Sequence, residues 1–269
     1  MPIRAAFDQV PELYDSVRPV YPAELVSDLA SLTGIGTGSR VLEIGPGTGQ
    51  LSVQLARLGC DLTAVELGPR LAEVARRNLA SFPRAVVVTF DFDTWPLPEE
   101  PFDAVVSAAS FHWLHPDTRV ARVAAALRPC GSLALVDIHH IAGDDAAFFA
   151  DEEACSARWG GILSGAGAVP EREIPYDDAE FVDSGLFGAA QFRRHIADIE
   201  YSSATYQARL LTYAGTLAAD PAIRAGLVRE IGELINNRYG GRVKKRYMYE
   251  LRISRLRPRS PAVGEPDVT

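Results

Sequence analysis

Lysine is almost missing from this chain. Of its 27 basic residues only Lys244 and Lys245 are lysines, and so much arginine beside so much alanine reads as coding bias rather than chemistry. Cysteine is scarce too. Cys60, Cys130 and Cys155 are scattered, odd in number and lack a C-x-x-C pair, which argues against a disulfide framework and a zinc site. The expectation for all three is a buried, inert thiol in a reducing cytoplasm. No apolar run reaches the length of a bilayer span, so no membrane partner is expected. The start, Met1-Pro2-Ile3-Arg4, lacks the apolar core of a signal peptide, and no targeting segment is expected. Positive charge is in deficit: 27 basic against 35 acidic residues give a net charge of −8. That removes any global reason to expect nucleic acid as a partner. What is present is ordinary. With 269 residues, 47% of them hydrophobic and 23% charged, the chain can bury a full core.

From residue 40 onward short apolar runs alternate with amphipathic stretches. The runs at 41–44, 62–65, 86–90, 104–106 and 132–136 are rich in Val, Ile and Leu, as strands buried on both faces of a parallel sheet are. Between them, Pro69 opens a helical pattern through Leu71, Val74, Ala75 and Leu79. Asp117 precedes another through Val120, Val123, Ala124 and Leu127, which stops before Pro129-Cys130-Gly131. The alternation predicts a doubly wound α/β fold. Residues 142–190, with Gly160-Gly161, Gly165 and Gly167, are too long for a simple connection and read as an inserted lid. Residues 191–199 and 246–256 complete a seven-stranded, mostly parallel Rossmann-like sheet with an antiparallel last strand. One domain is expected over 1–257, with a disordered tail over 258–269.

The densest signal is Val41-Leu42-Glu43-Ile44-Gly45-Pro46-Gly47-Thr48-Gly49, a buried strand running into a glycine turn before a helix. The dinucleotide pattern G-x-G-x-x-G would need its third glycine at position 50, which is Gln50. A carboxylate entering the turn, Glu43, suits a ligand carrying a cationic amine better than a pyrophosphate. Glu66 ends the second run, where an acid can accept both hydroxyls of a ribose. Asp91 ends the third; a carboxylate there can take an adenine amino group while Phe92 packs on the ring. Each acid alone is also what a solvated strand end carries, but three strand ends in order point to a nucleoside.

On these residues the chain resembles the class I S-adenosylmethionine-dependent methyltransferases. Residues 43–49 match the family's first motif, Glu66 its ribose acid and Phe90-Asp91-Phe92-Asp93 its adenine loop. Phe102-Asp103-Ala104-Val105-Val106-Ser107 matches the fourth strand, and Leu127-Arg128-Pro129-Cys130-Gly131 the turn before the fifth, with Cys130 where a second glycine is usual, a change expected to cost little. Tyr14-Asp15-Ser16-Val17-Arg18-Pro19-Val20-Tyr21-Pro22 is similar to the entry of the type 11 and trans-aconitate-like small-molecule group, and Phe111-His112-Trp113 and Tyr201-Ser202-Ser203-Ala204-Thr205-Tyr206 fit the same group. The resemblance implies S-adenosylmethionine as cofactor, covered by an N-terminal segment over 1–36. It implies contacts from Tyr14, Arg18, Glu43, Gly45, Gly47, Thr48, Gly49, Glu66, Leu67, Asp91, Phe92 and Ser107. A structural anchor for the N-terminal helix is the other reading of Tyr14 and Arg18.

Methyl transfer from a sulfonium needs alignment and exclusion of water, worth up to about 7–11 kcal/mol. A base is needed only for an acceptor protonated at working pH. The candidates lie at the carboxyl ends of strands: His112, followed by Trp113, and then His139 and His140. Strand alternation lets at most one of the last two point into the cleft. Trp113, Tyr201 and Tyr206 are candidates for the acceptor pocket, in which no arginine cluster for a highly anionic acceptor is evident. No metal ligand spacing is present. The basic stretch 238–259 reads as the solvated face of a last strand pair. The N-P-P-[YF] tetrapeptide of nucleic-acid amino methyltransferases is missing, residues 107–110 being Ser-Ala-Ala-Ser. The expected enzyme methylates a small organic metabolite of specialised metabolism, as a monomer or homodimer. The alternative is a non-catalytic or regulatory binder of the same cofactor.

Overall fold

Successive side chains of an extended strand point to opposite faces, and here they feed two separate cores. Val41 packs on one side of the sheet while Leu42 and Ile44 pack on the other. Ala104 and Val106 oppose Phe102 and Val105, and Ala134 and Val136 oppose Leu133 and Leu135. The computed structural model describes residues 3–163 and 168–258. Gly165, Gly167 and residues 259–269 of the expected tail lie outside that range.

Seven strands make one sheet: β1 (Arg40–Ile44), β2 (Asp61–Glu66), β3 (Ala85–Thr89), β4 (Phe102–Ala108), β5 (Leu127–Ile141), β6 (Gln191–Ser202) and β7 (Arg242–Arg255). Their order is β3-β2-β1-β4-β5-β7-β6, with β7 antiparallel to both neighbours. The expected architecture is therefore the observed one. The last three strands are longer than the sequence pattern suggests, because β5, β6 and β7 pair as a ribbon far past the parallel part of the sheet. The chain reverses its direction of travel between β1 and β4, and in an open α/β sheet the crevice at that reversal is where ligands bind.

Among the described residues ten α-helices accompany the sheet: α1 (Pro11–Val17), α2 (Ala23–Thr33), α3 (Gln50–Arg57), α4 (Pro69–Asn78), α5 (Arg119–Ala126), α6 (Ala146–Arg158), α7 (Ala179–Asp183), α8 (Ser203–Leu210), α9 (Ala214–Ala218) and α10 (Pro221–Arg238). Asp220 caps α10 by accepting the Ala222 amide at 2.8 Å, and Pro221 starts it. Within the 142–190 segment, Phe148 of α6 is buried against Tyr206 and Tyr239, so this helix belongs to the core. Trp159, at the end of α6, lies where a side chain at Gly226 of α10 would sit.

Two local expectations need correction. Cys60 and Cys155 are buried, but Cys130 is exposed. It lies near the start of β5 with φ +61°, a conformation that favours glycine, which explains the glycine usual at this position. The basic stretch of β7 is not uniformly solvated. Lys245 is 3% exposed, because it shares the inward face of β7 with Val243 and Tyr247, while Arg242 and Lys244 stand on the exposed face.

Candidate functional site

A cavity of about 600 Å³ opens at the carboxyl ends of the central strands. Its first wall is the glycine turn after β1. Gly45 (φ +67°) lies so close to β4 that a Cβ would sit 2.6 Å from Ser110 Cβ. Gly47 (φ +61°) faces Tyr14, whose ring a Cβ would meet at 3.5 Å. Side chains at these positions would fill the cradle between the turn and the N-terminal segment. The Gly47 amide donates to Glu66 Oε2 at 2.9 Å and the Gly68 amide to Oε1 at 2.8 Å. Each oxygen keeps a further acceptor site for a hydroxyl. Glu43 is buried, and its Oε2 accepts Ser52 Oγ at 2.5 Å. Burial pushes both Glu43 and Glu66 up to about 7, and their mutual repulsion adds to this for Glu43. Asp91 and the half-exposed Phe90 extend this wall past β3. Phe92 borders it from the core side, packed on Trp95 beneath the Arg122 guanidinium.

The N-terminal segment covers the turn. Asp8 accepts the Arg70 and Leu71 amides at 2.8 and 2.9 Å, Asn78 donates to Asp15 at 2.9 Å, and Arg18 donates to the Thr212 carbonyl at 2.6 Å. Phe7, Tyr14, Arg18 and Tyr21 reach the cavity from it. From the 142–190 segment only Val169 and Ile174, among the described residues, border the cavity. The roof therefore belongs mainly to the N-terminal segment.

His112 and Trp113 line the cavity after β4, with ring centroids 4.7 Å apart and Phe7 edge-on to the indole. Burial pulls His112 below its ordinary value, against the attraction of Asp137. Three consecutive residues of β5, Ile138, His139 and His140, line it as well. Both histidines thus border the cavity, although the alternation of β5 sends their side chains to opposite faces. His139 Nε2 is buried with no hydrogen-bond partner among the described residues, and His140 meets Phe149 edge-on at 4.3 Å.

Several expected contacts are not brought to this wall. Thr48 is buried, with Oγ1 accepting Gln50 Nε2 at 2.5 Å and its carbonyl accepting Asn78. Gly49 starts α3, and Ser107 turns inward to the Ile44 carbonyl at 3.2 Å. None of the three lines the cavity, whereas Leu67 does. Tyr201 and Tyr206 are core residues; the Tyr206 hydroxyl donates to buried Glu152 at 2.7 Å. Tyr213 and Tyr247 border the cavity instead, together with Arg209 and Lys245. These two cations, one arginine and one lysine, are not among the residues expected at the acceptor pocket. No motif marks them.

Tyr213 sits among three cations. Arg209 Nε donates to its hydroxyl at 3.1 Å, and the Arg18 guanidinium and Lys245 ammonium lie 5.3 and 5.7 Å from its ring. Burial pushes the Tyr213 phenol up, but Lys245, Arg209 and Arg18 outweigh it and bring the group down to about 8. The cavity thus has an acidic end and a basic end, with the histidines beside them. Among the described residues no group of three His, Cys, Asp or Glu side chains could hold a metal ion, and no helix is long and apolar enough to cross a membrane.

Residues 41–131 match the family described as Methyltransferase domain. An uncharacterized methyltransferase of Mycobacterium tuberculosis is 36% identical over 123 residues, 46% of this chain and 48% of that protein, so the match spans about half of that relative. An uncharacterized methyltransferase of Geobacillus thermodenitrificans is 31% identical over 157 residues, 57% of this chain and 70% of that protein. The fold is also that of an S-adenosylmethionine-dependent methyltransferase from Geobacter sulfurreducens solved with S-adenosylhomocysteine: TM-score 0.54, 14% identity, covering 96% of this chain and 98% of that one.

Proposed function

Because this chain belongs to the class I S-adenosylmethionine-dependent methyltransferases, we propose that it is an enzyme that methylates a small organic metabolite of specialised metabolism. The observation that carries the reading is a single cavity lined both by strand-end carboxylates and by histidines. The residues at the acidic end fit the cofactor. Glu43 answers its ammonium group, Glu66 its ribose hydroxyls and Asp91 its adenine amine, while the Cβ-free surfaces of Gly45 and Gly47 leave room for its backbone. Tyr14 and Arg18 close over the methionine end, where the Arg18 guanidinium lies 4.7 Å from the Tyr14 ring. When bound, S-adenosylmethionine supplies an electrophilic methyl group on a sulfonium.

The chain's part is to align and to exclude water. The docked N-terminal segment removes the acidic end from solvent, and Trp113 and Phe7 form an apolar wall beside it. His112, held neutral by burial, can accept a proton from the acceptor, as can His139 through Nε2. Calorimetry with S-adenosylhomocysteine tests the cofactor assignment, and tight NADH binding in its place would overturn it. A screen of metabolites for a mass increase of one methyl group tests the enzyme. A cofactor-binding protein that methylates nothing in a broad screen would support the regulatory alternative.

A further inference from the structure

We propose that Arg209 and Lys245, with Tyr213 between them, form an anion subsite that takes a carboxylate of the methyl acceptor. The proposal rests on the methyltransferase reading for the word acceptor, but the site stands on its own geometry. Arg209 and Lys245 are 4% and 3% exposed, and both line the cavity. Both lie within 6 Å of the same two rings: Arg209 Cζ is 5.6 and 5.1 Å from the Tyr213 and Tyr247 centroids, and Lys245 Nζ is 5.7 and 5.8 Å from them. Neither forms an ion pair with a carboxylate among the described residues. Elsewhere half-buried arginines are paired: Arg194 meets Glu250 at 2.6 Å, and Arg252 meets Asp137 at 2.5 Å. A buried ion without a counter-ion is costly, so two of them at one cavity wall mark a place where an anion arrives.

The hydrogen-bonding capacity points the same way. Arg209 donates from Nε to the Tyr213 hydroxyl and from Nη1 to the Val17 carbonyl at 3.4 Å, and its other donors have no partner within the described chain. Lys245 brings an ammonium group with three donors. The nearest compensating charge is Glu152, which acts on Lys245 from the core side while accepting the Tyr206 hydroxyl. Arg209 and Lys245, with Arg18 5.3 Å from the Tyr213 ring, outnumber that one carboxylate, so this wall carries net positive charge and suits an anion. Arg18 is committed elsewhere, through Nε and Nη2 to Thr212 and beside Tyr14 over the acidic end. A guanidinium fork on a carboxylate also fixes orientation, the main task in an aligned displacement. The basic end would thus hold the acceptor by one terminus and leave the rest of it beside the histidines.

The test uses the full chain and two probes of equal size, acetate and acetamide, at constant ionic strength, read by line broadening of the carbon-13 labelled compounds. S-adenosylhomocysteine is titrated first; no binding there refutes the methyltransferase reading, and the acetate arm still reads the subsite in cofactor-free protein. The expected result is a preference for acetate over acetamide of about tenfold, as for a charged over a neutral partner. Lys245→Met and Arg209→Gln should each weaken acetate by about fivefold or more, whereas Arg242→Gln, on the exposed part of β7, should leave it unchanged. Equal affinity for the two probes in the unaltered protein overturns the proposal without recourse to any variant. So does undiminished acetate binding in both cavity variants, or tighter binding of inorganic phosphate than of acetate.

Discussion

The acidic and basic ends of the cavity are built by different means. Glu43, Glu66 and Asp91 stand at or just after the ends of β1, β2 and β3, neighbouring parallel strands whose connections bring each acid to the same edge. Arg209, Tyr213 and Lys245 come from the end of α8, the turn after it and β7, with Arg18 of the N-terminal segment between the two ends. Their meeting depends on the antiparallel part of the sheet and the helices packed on it. The first end is built by the parallel architecture, and it is where the proposed cofactor would bind. The second is built by the antiparallel strands and the helices beside them, and it is where the proposed acceptor subsite lies. Placing opposite charges at the two ends also orients what enters, since each end repels the ligand of the other.

Where the two ends meet, the largest effect is expected. Once an acceptor is known, replacing His112, His139 or His140 in turn by Ala should lower turnover by about 100-fold for one or two of them, the usual worth of a general base, while S-adenosylhomocysteine affinity stays nearly intact. Full turnover in all three variants would mean that alignment alone carries catalysis. Next in size, Glu66→Ala removes the ribose acceptor and leaves the Gly47 and Gly68 amides without their partner. Calorimetry should show about 30-fold weaker S-adenosylhomocysteine, or about 2 kcal/mol, with acetate binding at the basic end unchanged. Loss of both affinities together would show that the two ends are one unit.

A smaller contrast lies in pH. Glu43 and Glu66 hold their protons up to about 7 in the ligand-free protein, and a bound ammonium or diol prefers the ionised form. S-adenosylhomocysteine affinity should therefore rise about three- to tenfold from pH 6 to pH 8. Stability moves the other way: carboxyls raised in the folded state contribute most below about 4.5, and that contribution fades as pH climbs through 7. Acetate binding should be flat over the same interval and weaken above about 8, where Tyr213 ionises. The smallest effect is a control remote from both ends. Cys130→Gly relieves a left-handed residue and should add about 1 kcal/mol of stability, a rise in Tm of about 2–4 °C, with both ligand affinities unchanged.

The sequence alone determined the parallel half of the sheet and the acidic end of the cavity. Its strands announce themselves as short branched runs, and Glu43, Glu66 and Asp91 lie within a residue or two of those runs, so position in the chain nearly equals position in space. The same local logic located His112, His139 and His140. It failed wherever a side chain's direction depends on packing. Thr48, Ser107 and Tyr206 satisfy buried partners rather than the cavity, and Cys130 required a backbone angle that composition does not reveal. Lys245 looked like one more charge in a basic stretch. It is an interior group because it stands on the face of β7 that the helices cover, and Arg209 and Tyr213 reach it from a helix and turn about 35 residues earlier in the chain. Only long-range pairing decides which members of such a stretch are buried, since burial is set by the neighbours that the fold supplies and not by the residue or its immediate context.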